Sequence, residues 1–285
     1  MTALARLKGY TAPPSIWDRL HFSRRAAVMA ILYKNRYGNL STILTMRPGH
    51  MSSFAGDAAL PGGKADFQEE SAVEVARRET HEEIGIPRDQ SELAKIGYTL
   101  EHLTTLPAYL SRNLLAVRPS VAYLHPLDES RGIHHVTDLP SLLENVQLDP
   151  AEVHEVFSAQ LEHFLSSKPD GWYRDMPANW GGLKWNQHTF RLLRRTKKVG
   201  EQGWVNVWGL TANMLIDIAR IAYNREPDME HRKPGVYGDE SILTGLYDHG
   251  VIDKPRERGE NVDISFRKLF GRHSPLLDAR KAGNA

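Results

Sequence analysis

Glu79, Glu82 and Glu83 stand at positions i, i+3 and i+4 of the stretch Arg78-Glu-Thr-His-Glu-Glu-Ile-Gly-Ile86. On a helix that spacing gathers three carboxylates on one flank. Like charges so placed repel by about a few tenths of a kcal/mol per pair, so the cluster is unfavourable unless something positive sits against it. Oxygen ligands at this density suit a hard divalent cation, Mg²⁺ or Mn²⁺. The bland alternative is a solvated acidic helix face.

The surrounding residues predict the elements that would hold these acids. Ser71 precedes Glu74 by three positions, a capping box that satisfies two orphan backbone donors at a helix start. Gly85 stands where a left-handed C-cap is wanted, and Pro87 forbids continuation. Val73, Ala76, Thr80 and Ile84 recur at helical steps and predict the stripe that faces the core. A glycine turn, Leu60-Pro-Gly-Gly-Lys64, comes before the helix. Further upstream, Ala26 to Tyr33 and Leu40 to Met46 have the length and composition of strands, with the turn Tyr37-Gly38-Asn39 between them. Two strands, a loop and a helix fit the opening of an α/β sandwich in which helices flank a mixed sheet.

Taken together, Arg78 to Ile86 and the preceding turn resemble the Nudix box, G-x5-E-x7-R-E-U-x-E-E-x-G-U, where U is apolar. Thr80 occupies one of the apolar positions, and Gly63 lies one residue farther from Glu70 than the strict pattern allows. Such an insertion is associated with the coenzyme A pyrophosphatase (CoA diphosphatase) branch. Leu44-Thr-Met-Arg47, Ser53-Phe-Ala-Gly-Asp57 and Leu60-Pro-Gly-Gly-Lys64 resemble the upstream signature of that branch, in wording nearest the fungal peroxisomal CoA diphosphatases.

The resemblance implies a Nudix-type α/β/α sandwich over residues 24–224, preceded by a lead-in (1–23) and followed by a partly ordered extension (225–285). It implies hydrolysis of the diphosphate of CoA or a derivative, yielding 4′-phosphopantetheine, or its acylated or oxidised form, and adenosine 3′,5′-bisphosphate. Glu79 and Glu83 would hold the cations, with the Gly63 carbonyl as a backbone ligand. Bound cations would neutralise the pyrophosphate and lower the pKa of a bound water. Glu82 would be a further ligand or the catalytic base, and Arg78 would orient the glutamates. Arg47, and more weakly Lys64, Arg24 and Arg25, are candidate phosphate contacts, because guanidinium forks match phosphate oxygens. Glu152 and Glu155 lie near where another acid could reach the metal, and Glu155 is taken as the candidate. The rival readings are an ADP-ribose or oxidised-nucleotide diphosphatase with the same box, and a catalytically silent Nudix-fold binding module.

Composition narrows the field. The chain of 285 residues has a formal charge of +1 and no cysteine, which excludes disulfides and thiolate chemistry and argues against a dominant polyanion-binding surface. No apolar run has membrane-spanning length. The amino terminus lacks a signal-peptide core, and Gly283-Asn-Ala285 is not a peroxisomal address. A small-molecule substrate, with neither nucleic acid nor membrane as partner, is therefore expected. The expected location is intracellular, peroxisomal by resemblance or else cytoplasmic, and the oligomeric state is left open.

In the remainder, Leu93 to Leu100 is expected as a strand. Asn113 to Val117 and Ser120 to Leu124 are expected as a pair interrupted by Pro119, and Leu139 to Asn145 as a short helix. His134-His135 read as loop residues. Basic residues and aromatics from Trp172 to Lys198 favour two strands, His188 to Leu193 and Trp204 to Val207, over a nucleic-acid surface. A closing helix begins at Trp208-Gly, with Leu210, Met214, Leu215, Ile218, Ile221 and Ala222 as its apolar stripe. A small helix is expected at Ser241 to His249.

Overall fold

The structure is a computed structural model and describes residues 1–49, 57–127, 137, 139–195, 202–260, 263–271 and 274. A short helix α1 (Ala3–Gly9) and two 3-10 turns (Ile16–Arg19, Phe22–Arg24) lead into β1 (Arg25–Lys34) and β2 (Leu40–Met46). Two short strands, β3 (Ala58–Ala59) and β4 (Gly62–Lys64), precede the glutamate helix α2 (Ala72–Ile84). Next come α3 (Gln90–Lys95), β5 (Tyr98–Thr105), β6 (Tyr109–Leu110), β7 (Ala116–Pro126), α4 (Leu139–Glu144) and β8 (Glu155–Gln160). The chain continues through β9 (Tyr173–Trp180), β10 (Leu183–Arg195), β11 (Gln202–Trp208), α5 (Gly209–Tyr223), α6 (Glu240–Asp248) and α7 (Phe266–Phe270).

The main sheet is mixed. Its path is β3-β2-β1-β7-β5, with β4 on β1, β6 on β7 and β8 on β2. Among the described residues only β1 and β7 run parallel; the other pairs are antiparallel. The edge of β1 opposite β7 is shared, β2 taking Leu32 to Lys34 and β4 taking Ala26 to Val28. That division lays the glycine turn against β1 and under α2.

Alternation along the central strands sorts the core into two layers, since side chains two apart share a face. Ala26, Ala30 and Leu32 of β1, with Val117, Val121 and Tyr123 of β7, pack on the face covered by α5. Ala27, Met29, Ile31 and Tyr33, with Ala116, Ala122 and Leu124, pack on the face covered by α2 and α6. This is the expected α/β/α sandwich. A second, three-stranded sheet of order β11-β10-β9 stands beside it. No helix among the described residues is long and apolar enough to cross a membrane.

Several expected elements come out differently. On α2 the buried stripe uses Ala72 and Val75 with Ala76, Thr80 and Ile84, while Val73 is only partly buried. Leu93 belongs to α3, and the strand starts after Gly97, whose φ of 85° makes the corner. Residues 116–126 form one continuous strand. Pro119 is tolerated because it sits at the gap between β5 and β6, where its carbonyl accepts from Leu106 N–H. The lead-in carries a helix, and its Leu7, Trp17 and Leu20 are fully buried. In the expected extension, Ile242, Leu243, Leu246, Ile252 and Phe266 sit in the same core as α2. His134, His135, Lys197, Lys198 and the segment 53–56 lie outside the described residues.

Candidate active site

The α2 helix begins as its sequence dictates. Ser71 Oγ accepts from Glu74 N–H, and the Glu74 carboxylate accepts from Ser71 N–H at 2.8 Å. Gly85, at φ 72°, closes the helix by donating to the His81 carbonyl. Between these caps, one guanidinium organises the acids. Arg78 Nε donates to Glu70 Oε1 at 2.9 Å, and Nη1 donates to Glu79 Oε1 and Glu82 Oε2, both at 3.0 Å. Its Nη2 donates to the Lys64 carbonyl at 2.8 Å, which ties the helix to the glycine turn. Glu70 is the residue eight positions before Arg78, the partner that the box spacing selects.

Carboxylate oxygens of Glu79, Glu83 and Glu152 lie within 4.8 Å of one another. Glu83 is 5% exposed, and its Oε2 accepts from Gly62 N–H at 3.2 Å. Burial, with Glu79 and Glu152 adding repulsion, pushes its carboxyl up to about 8 against the pull of Gly62 and Arg47. Burial also raises Glu79, partly offset by Arg78. Glu70 moves the other way: burial would raise it, but the Arg78 hydrogen bond and the Asp66 N–H hold it below the usual carboxylate range. Three carboxylates share one space with a single backbone donor on the most buried of them. This donor set fits a hard divalent cation, whose charge would offset the repulsion and burial that disfavour ionised Glu83.

The third acid of the cluster is Glu152, where the sequence pointed to Glu155. Asp149 N–H donates to the Glu83 carbonyl and so docks the 149–152 turn on the end of α2, carrying Glu152 to the cluster. Glu155 opens β8 opposite Met46 and is not among the gathered acids. Because Glu152 lies outside any regular element, strand alternation could not place it. Glu82 is also outside this trio. It leans on Arg78, with half its side chain in solvent.

The basic candidates separate as well. Arg24 and Arg25 are both 3% exposed and already engaged. Arg24 binds the Lys254 carbonyl and Glu260, while Arg25 binds the Phe67 and Gln68 carbonyls and lies over Trp17. These bonds give both a structural role, while Arg24 Nη1 and Arg25 Nε keep no hydrogen-bond partner among the described residues. Lys64 offers its carbonyl to Arg78, and its side chain is exposed. Arg47 lines a cleft of about 300 Å³ beside the acids, with Trp180, Trp185 and Trp208 on other walls.

A profile of the NUDIX domain matches residues 23–175. The chain belongs to the Nudix hydrolase family. This Nudix hydrolase is 32% identical, over 298 aligned positions, to peroxisomal coenzyme A diphosphatase 1 of Saccharomyces cerevisiae, covering 90% of the chain and 85% of the yeast protein. It is 33% identical to the chloroplastic Nudix hydrolase 22 of Arabidopsis thaliana over 79% of the chain, and spans 64% of that plant protein. Among solved structures, the Nudix hydrolase RenU of M. smegmatis aligns over 50% of the chain and 73% of its own, with 18% identity and a TM-score of 0.33.

The two glycines of the turn have separable duties. A Cβ on Gly62 would meet first the backbone of Ala27 and Val28 and the Val28 side chain, and one on Gly63 would meet first the Glu79 carboxylate. Gly62→Ala should therefore lower the urea midpoint. Gly63→Ala should leave it unchanged but weaken Mn²⁺ binding by about tenfold or more, the usual cost of displacing a ligand's support. Calorimetry paired with urea melts checks both.

Proposed function

We propose that this Nudix hydrolase cleaves the diphosphate of coenzyme A or its derivatives to 4′-phosphopantetheine, or its acylated or oxidised form, and adenosine 3′,5′-bisphosphate. The observation that supports a diphosphate substrate is the gathering of Glu79, Glu83 and Glu152 beside the glycine turn, with Arg47 at the adjoining cleft. The similarity to the yeast CoA diphosphatase across most of both chains supports the choice of CoA.

Glu79, Glu83 and Glu152 would hold Mg²⁺ or Mn²⁺, with the Gly63 carbonyl as a further donor. The chemistry supplied there would be neutralisation of pyrophosphate charge and acidification of a water. The chain's own residues do the rest. Arg78 keeps Glu70, Glu79 and Glu82 in fixed register, so little reorganisation is left for the reaction. Glu82 Oε2 is held by Arg78 while the rest of its carboxylate faces solvent, a position suited to accepting the proton of the attacking water. Arg47 presents its guanidinium toward the phosphates. A peroxisomal location belongs to the same reading and is supported only by the yeast relative's name.

The test is purified enzyme with Mg²⁺ against CoA, an acyl-CoA, ADP-ribose, diadenosine tetraphosphate and 8-oxo-dGTP. CoA or its thioester should give the highest kcat/KM, releasing adenosine 3′,5′-bisphosphate. Equal or better turnover of ADP-ribose would overturn the CoA assignment, and no turnover of any diphosphate would return the protein to a binding role.

A further inference from the structure

The catalytic cluster uses residues from Gly62 to Glu152, yet the cleft beside it is closed by elements past the NUDIX match. Trp180 and Trp185 come from β9 and β10, Trp208 from the end of β11, and Asn213 from the first turns of α5. All four are only partly buried. The two sheet tryptophans are held from behind. Their ring centroids are 5.0 Å apart, and both rest on Phe266, at 5.2 and 5.7 Å. Trp208 Nε1 donates to Asp57 Oδ1 at 3.0 Å. Indole rings fixed in this way, the two sheet rings tilted by 47° to each other, can contact an aromatic ligand at little entropic cost, one ring stacking and the other meeting its edge.

Polar atoms of the cleft add a second, independent constraint. Arg47 Nε and Asn213 Oδ1 are buried without a hydrogen-bond partner among the described residues. One is a donor and the other an acceptor, and leaving either dry is costly. A saturated acyl chain in the cleft would satisfy neither. Adenine supplies the complements, a π-face to stack, a 6-amino group to donate and ring nitrogens to accept, once the side chains of Arg47 and Asn213, whose unpartnered atoms are covered here, turn toward it. A carboxamide such as Asn213 matches the N6/N7 edge of adenine, as it does in the DNA major groove. The volume of about 300 Å³ lies at the small end of ligand pockets.

We propose that this cleft is the purine subsite, in which adenine stacks against the tryptophans beyond the NUDIX match and Asn213 reads its 6-amino group, while Arg47 spans from base to phosphates. The inference rests on the reading of the substrate as a diphosphate with adenosine at one end. It makes the second sheet a specificity element, not a structural ornament.

Metal-free full-length protein titrated with AMP, IMP and 4′-phosphopantetheine, followed by tryptophan fluorescence and calorimetry, tests the proposal apart from turnover. AMP should bind and quench, and IMP should bind about tenfold more weakly, the effect of one lost hydrogen bond. Asn213→Ala should erase that difference and raise KM for CoA by about tenfold with kcat nearly unchanged. Trp185→Phe should retain most AMP affinity and Trp185→Ala should lose it; the Phe variant guards against a folding defect. Quenching by phosphopantetheine but not AMP, or Asn213→Ala with an unaltered AMP-to-IMP ratio, overturns the subsite. If CoA is cleaved while AMP fails to bind, the subsite falls and the substrate reading stands. If AMP binds as described while CoA is inert, the subsite stands and the substrate reading falls.

Discussion

Glu83→Gln should abolish most of the proposed Mg²⁺-dependent turnover, by roughly 10³-fold, while making the metal-free protein more stable at pH 8. The activity loss follows from position. Residues that only support a metal ligand cost about 10–100-fold when removed, and Glu83 is itself the most buried acid of the trio. The stability gain follows from linkage. Burial raises the Glu83 carboxyl from 4.5 in the unfolded chain to about 8 in the fold. A carboxylic acid whose folded pKa is raised contributes fully below its unfolded pKa and loses that contribution as pH rises through the folded one. The chelated wild type should therefore lose up to a few kcal/mol between about pH 4.5 and 8, and the glutamine variant should lack this decline. Thermal melts in EDTA at stepped pH give the comparison. The same coupling makes cation affinity of the wild type climb with pH up to about 8, because binding must expel the Glu83 proton. Parallel melting curves for the two proteins would show that Glu83 carries no such charge penalty.

Much of this site was legible because it is written locally. The Ser71–Glu74 box, the Gly85 cap and the i, i+3, i+4 acids are all decided within one helix, where spacing fixes direction. What local pattern could not show is which acids meet across the fold. Glu82 shares a flank with Glu79 and Glu83, yet Arg78 draws it outward, and Glu152 replaces it through a turn docked on the end of α2. The partners of Arg24 and Arg25 were hidden for a related reason. Nothing near them in the sequence announces that Glu260 and the carbonyls of Lys254, Phe67 and Gln68 will surround them. The apolar stripe of α5 was visible, but Asp217, which helical spacing from Met214 (i+3) and to Ile221 (i+4) places on that same buried flank, was the overlooked sign of a buried partner network.

That network supports the other large effect. Asp217 is fully buried. Its Oδ1 accepts from Arg220 at 2.8 Å and from His231 Nε2 at 3.0 Å, and its Oδ2 accepts from Tyr109 at 2.7 Å and lies 3.3 Å from Arg232 Nε. Burial alone would raise its carboxyl, but His231, Arg232 and Arg220 together hold it well below the usual range. Burial keeps His188 and His231 neutral, so a directed chain runs from Tyr173 hydroxyl to His188 Nδ1, from His188 Nε2 to His231 Nδ1, and from His231 to Asp217. The chain links the second sheet, α5 and the segment after residue 225. Arg232 extends it to Asp239, which receives Leu110 N–H beside the cleft. Asp217→Asn keeps the shape but removes the charge facing two buried guanidiniums, so it should cost about 3–5 kcal/mol, read as a lower urea midpoint. Since the wild-type Asp217 pKa is depressed, its contribution is present above about pH 3.8, the unfolded value, and fades only as pH falls below it. The deficit of the variant should thus be full at neutral pH and shrink in strong acid. A midpoint within error of wild type at pH 7 would mean that Arg220 and Arg232 are neutralised by Glu226 and Asp239 alone.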